Sequence, residues 1–210
     1  MKTKLSTLLI ILTLAASAAD KYADQMTTNI TLVYKAQTTE ELLQAVNAFE
    51  RIGNAEKTKW EPYYYAAFGT IMLATRETDG GKKDLYLDQA ASLLVKASAI
   101  NGSESEIVTL EGFIHTIRLT VDPATRGQQY SMLSMQSFGK ALALNPNNPR
   151  AMSLMAQMQF GTAKFFNQKP TEACETALKA LSMFDNYKTE NALAPSWGKE
   201  MTAGLVKQCQ

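Results

Sequence analysis

His115 is the only histidine in the chain, so no site can rest on two or more imidazoles. Glu111 lies four residues earlier, and on a helix the two side chains share one face. The pair has the residue types of an acid–base couple lining a pocket; the plainer reading is a local hydrogen bond on a helix surface. Ser137 and Lys140 are three apart, a spacing at which a lysine amine can activate a serine hydroxyl one turn away. That chemistry also needs Ser-Asp-Asn or Lys-Thr-Gly partner motifs, and none occurs. Gly80-Gly81-Lys82-Lys83 lacks the spaced glycine and the hydroxyl that a phosphate loop needs, and reads as a solvated turn in a polar loop, Asp79–Asp84. The sequence therefore assigns no catalytic residue, no metal ligand and no cofactor site. An enzyme centred on His115 or Ser137 is the weakest of the functional readings.

Two other residue sets carry more. Trp60, Tyr63, Tyr64, Tyr65 and Phe68 form the densest aromatic run. Adjacent helix residues point about 100° apart, so three consecutive tyrosines cannot all enter one core. Tyr64 and Phe68 follow Trp60 inward, which leaves Tyr63 as the expected surface aromatic and a candidate partner contact. Cys174 and Cys209 are the only cysteines. In an exported chain they can pair and tie the last helix to the element before it; two separate thiols are the alternative.

Export is the expectation from residues 1–19. Lys2 and Lys4 precede an apolar run, Leu5 to Leu14, which ends in Ala15-Ala16-Ser17-Ala18-Ala19, the pattern of a cleaved signal peptide. No cysteine near the cleavage point offers a lipid anchor, so the expected location is periplasmic or secreted, without stable membrane insertion after cleavage. Cleavage removes two of the 21 basic residues and none of the 20 acidic ones, taking the formal net charge from +1 to −1. Such a balance gives no reason to expect nucleic acid as a partner.

The elements that position these residues all read as helices. A first helix spans Asp20 to Gln37. Thr38 and Glu41 fit a capping box before Leu42, Leu43, Val46, Phe49 and Ile52 at helical spacing. Helices follow from Trp60 to Thr78, through Leu87–Ala97, and from a second expected capping box, Ser103 with Glu106. Asp122-Pro123 and Asn145-Pro146 are breaks, and Pro149 suits a helix first turn. A further helix opens at Pro170, residues 186–195 form a loop, and Trp197 to Lys207 is a short terminal helix.

The helices recur in pairs. Gly69, Gly112 and Ala156 are small residues in each first helix, and Ala97, Ala141 and Ala180 in each second helix. With Phe138, Ala141 and Pro146 at one junction and Tyr65, Phe68 and Gly69 at another, the chain resembles the tetratricopeptide-repeat (TPR) family. It departs from that pattern at Glu111 and Gln159. The resemblance implies an all-α fold, a right-handed superhelix of stacked antiparallel helix pairs with a C-terminal capping helix. Residues 20–57 would form a degenerate pair, 60–101, 103–145 and 149–185 the repeats, and 197–208 the cap, all in one domain. It implies a non-catalytic scaffold or adaptor for a protein or peptide partner; a module holding a peptide or small molecule in the concave groove is the alternative. Family positions place Tyr63, Thr70, Glu106, Thr109, Phe113, Arg150, Ser153 and Gln157 on that groove, with Arg150 expected to meet a ligand carboxylate and Tyr63 to anchor it.

Overall fold

The computed structural model describes residues 21–189 and 191–210. The expected signal peptide lies outside the described residues. Among those residues every regular element is a helix. α1 covers residues 21–35, and seven helices follow: α2 (Thr39–Ala55), α3 (Glu61–Arg76), α4 (Gly80–Ile100), α5 (Ser105–Leu119), α6 (Pro123–Leu144), α7 (Pro149–Phe165) and α8 (Thr171–Asn186). A short α9 (Lys199–Lys207) ends the chain. Sequential helices pack antiparallel as α3–α4, α5–α6 and α7–α8. The first helices of successive pairs also touch, α3 on α5, α5 on α7 and α7 on α9. That pattern is a stack of helix pairs, a solenoid-like all-α fold.

Local chemistry sets the boundaries. Thr38 and Glu41 form the capping box, with Glu41 N–H donating to Thr38 Oγ1 at 3.1 Å and Thr38 N–H to Glu41 Oε2 at 3.0 Å. Two expectations are corrected. Residues 80–84 are not a loop: Asp79 accepts from Lys82 N–H at 2.8 Å and starts α4 at Gly80, so the two glycines form its first turn. Ser103 does not cap α5 either. Glu104 accepts from Glu106 N–H at 3.1 Å, because the Glu106 side chain is drawn across the stack and cannot reach back to a cap. Asp122 caps α6 with Pro123 in its first turn, so the expected break at Asp122-Pro123 is also where the next helix begins.

Close approach decides how neighbouring helices pack. A side chain at Gly69 would run into Val46 at 2.7 Å, and one at Gly112 would overlap the Phe138 ring. Ala97, Phe138, Ala141, Ala156 and Ala180 are fully buried. Asn148 fastens one corner: its Oδ1 accepts from Arg150 and Ala151 N–H, while its Nδ2 donates to Ser105 Oγ at 2.8 Å. Ser105 Oγ in turn donates to the Ala141 carbonyl at 2.8 Å. The start of α7 is therefore tied to the start of α5 through buried, satisfied polar groups.

Candidate functional site

The concave side of the stack is lined by α1, α3, α5 and α7. It is covered by residues 191–198 of the same chain, which run over that face into α9. From α3, Tyr64, Tyr65 and Phe68 point to this side and are buried. Tyr65 Oη donates to the Leu193 carbonyl at 2.8 Å, and Ser196 N–H donates to Tyr34 Oη of α1 at 3.2 Å. The Trp197 indole lies nearly parallel to two rings, Phe68 at 5.2 Å and 27° and Phe113 at 6.1 Å and 21°. Its Nε1–H donates to Tyr64 Oη at 2.9 Å.

Tyr64 leads to a buried ion pair. Its hydroxyl donates to Glu106 Oε2 at 3.4 Å, and Arg150 Nε donates to both Glu106 oxygens at 2.9 and 2.8 Å. Arg150 is fully buried, with the Tyr187 ring 4.6 Å and the Phe184 ring 5.9 Å from its guanidinium carbon. Burial alone would lower the Arg150 pKa. The Glu106 charge and its hydrogen bonds outweigh that, and the guanidinium is held more firmly protonated than usual. Burial, then the neighbouring Glu106 charge, pushes the Tyr64 phenol well above its ordinary range; burial and Tyr34 do the same for Tyr65. Both phenols remain neutral donors.

The eight residues placed on the groove by family position divide in two. Glu106, Phe113, Arg150 and Ser153 do meet on the concave side, but against one another and the covering segment. Ser153 and Thr202 of α9 share a hydrogen bond of 2.6 Å, and the half-buried Gln157 donates to Ser153 Oγ at 3.4 Å. Tyr63, Thr70 and Thr109 are elsewhere. Tyr63 is buried between α2 and α4, its hydroxyl donating to Asn54 Oδ1 at 3.0 Å and its ring filling the space beside Gly53. Thr70 donates to the Ala66 carbonyl, and Thr109 donates to the Ser105 carbonyl and accepts from Asn148 Nδ2. Tyr63 and Thr109 tie neighbouring helices to one another, and Thr70 bonds within α3. The expectation of exposed Tyr63 and Arg150 side chains is therefore corrected. A neighbouring helix fills the outer face of α3, and the C-terminal segment fills the inner one.

No family model and no curated protein matches the chain. Among solved structures, the HusA haemophore from Porphyromonas gingivalis is 31% identical, with a TM-score of 0.80 over 90% of this chain and 92% of that one. The chain belongs to the HusA haemophore family. A thermophilic TPR protein from Thermus thermophilus is 19% identical, with a TM-score of 0.54 over 82% of this chain and 88% of that one, and shares the helical stack.

In this family member the residues singled out for acid–base chemistry are not assembled. His115 stacks on Tyr130 of α6 at 5.9 Å, away from the concave side, and makes no hydrogen bond to Glu111 among the described residues. Burial, then Arg118, holds its imidazole below the usual pKa, hence neutral at pH 7. Ser137 and Lys140 share no hydrogen bond, and Lys140 is exposed. Cys174 and Cys209 form a disulfide with Cα atoms 5.7 Å apart, which fastens α9 to α8. No described helix is long and apolar enough to cross a membrane. Tyr64, Tyr65, Tyr187, Leu193 and Trp197 were not among the groove residues read from family positions. The signal available in the sequence was the presence of Leu193, Pro195 and Trp197 in a stretch otherwise polar enough to be a loop.

Proposed function

We propose that the protein is a non-catalytic carrier of haem, which it holds against the concave face of the helix stack. The observation that carries this reading is the 31% identity to a haemophore across nearly the whole of both chains. The site chemistry agrees with it. Haem is a flat, largely apolar macrocycle with carboxylates on one edge. Tyr34, Tyr64, Tyr65, Phe68 and Phe113 offer aromatic surface to such a plane, and Arg150 offers a fork that suits a carboxylate. His115 faces α6 and takes no part.

Titration of the disulfide-intact protein with haemin, followed by the Soret band, is the direct test. The reading expects saturation at one defined ratio and the same curve for His115→Ala. Absence of saturable binding at micromolar protein removes it. A protein partner remains a second proposal, favoured by the adjacent Phe165 and Phe166 rings at the end of α7, which are 72% and 63% exposed. Loss of a captured envelope protein on changing both to Ser, with haem binding intact, would support it; equal capture would remove it.

A further inference from the structure

We infer that residues 191–198 are an internal competitor for the ligand site, displaced by a flat conjugated molecule whose carboxylate is taken by Arg150. The inference rests on the haem-carrier reading and adds how its site is closed and which residue selects for the acid group.

Trp197 makes the first half of the case. An indole lying at 27° and 21° to Phe68 and Phe113 is itself a flat aromatic held against the groove wall. An incoming planar ligand and this side chain compete for the same ring faces.

The way the segment is held makes the second. Its described residues form no helix or strand, and few polar contacts fasten them to the concave side. These are Tyr65 to Leu193, Ser196 to Tyr34, Trp197 to Tyr64, and a long Asn191 to Glu61 contact of 3.4 Å. Leu193 and Pro195 are buried, but the other described residues are exposed or half-buried. A short irregular segment with so few contacts opens at lower free energy than the helices beneath it. Its far end is tethered to α9, and α9 is fixed by Cys174–Cys209. Gly198, with φ of 107°, provides the left-handed turn into α9 where a side chain would strike Phe184 at 2.8 Å. The segment can therefore lift without the chain end coming away.

Arg150 completes the argument. Glu106 engages only Nε, and Nη1 and Nη2 are buried with no hydrogen-bond partner among the described residues. Unpaired buried donors of a charged group are costly and uncommon. The guanidinium that carries them lies against the Tyr187 ring, while the stem of Arg150 runs beside Gly198, whose added Cβ would lie 3.3 Å from Arg150 Cγ. Lifting the segment bares the end of the fork, the edge that binds two carboxylate oxygens at once.

The experiment uses the full disulfide-intact chain with haemin and with haemin dimethyl ester, whose carboxylates are blocked. Amide exchange of a peptide covering 191–198 should quicken on haemin binding, since Ser196 N–H loses Tyr34. Trp197→Ala should bind haemin more tightly than wild type, because a competitor has been weakened. Wild type should prefer haemin to its ester by about tenfold, the size of one charge-assisted contact. The Glu106→Gln/Arg150→Gln variant, which removes both buried charges together and so keeps the interior neutral, should bind the two alike. Slower or unchanged exchange at 191–198 in wild type that binds haemin, or an ester preference unaltered in the double variant, overturns the inference and leaves the haem reading standing. Failure of wild type to bind haemin overturns both.

Discussion

Replacing Glu106 by Gln tests the buried ion pair, on which the site's electrostatics depend. Arg150 is 0% exposed and Glu106 6%, and Glu106 is the only carboxylate paired with Arg150 among the described residues. In Glu106→Gln the guanidinium stays buried and charged with no counter-charge. Removing one partner of a buried pair costs roughly 3–5 kcal/mol. Glutamine keeps one oxygen to accept from Nε, so the expected loss is at the lower end, about 3 kcal/mol. For a chain of this size that lowers Tm by roughly 6–12 °C. Thermal unfolding by circular dichroism at neutral pH, with the disulfide intact, measures it. The Glu106→Gln/Arg150→Gln variant removes both charges and should recover part of the loss, since a neutral interior needs no counter-charge. A Glu106→Gln protein that melts within about 2 °C of wild type would refute this reasoning, as would a double variant less stable than Glu106→Gln alone.

Reduction of Cys174–Cys209, separated by 35 residues, should destabilise the protein by about 2–4 kcal/mol and speed amide exchange in α9, with α2 and α3 unaffected near native conditions. Gly112→Ala forces a methyl into the Phe138 ring and should cost about 1–3 kcal/mol, whereas Gly139→Ala, with open space around it on α6, should gain up to about 1 kcal/mol; denaturant midpoints compare the two. Mass spectrometry of protein from the native host should find the first residue at Ala19 or Asp20, and an intact Met1 in exported protein would contradict the signal-peptide reading.

The helices and most of their ends were legible in the sequence because their causes are local. Apolar spacing, the Thr38–Glu41 box and the prolines at 123 and 149 act within one or two turns, whatever the rest of the chain does. The small residues at 69 and 112 disclosed the close helix packing for a similar reason: close helix approach excludes side chains wherever it happens. The Gly80-Gly81 start of α4 was missed because glycine's low helix propensity was weighed without the Asp79 cap that offsets it. The site needed tertiary structure. Which of Tyr63, Tyr64 and Tyr65 faces inward depends on the helices on either side of α3, and no periodicity within α3 distinguishes them. Glu106 and Arg150 lie 44 residues apart, and Tyr65 and Leu193 lie 128 apart. Their meeting follows from how far each pair rotates on the last, which sums many packing contacts along the stack. A segment of irregular backbone carries no repeat to announce its path. Residues 191–198 lie across the concave face because Trp197 and Leu193 find apolar and aromatic surface there that the stack itself leaves uncovered.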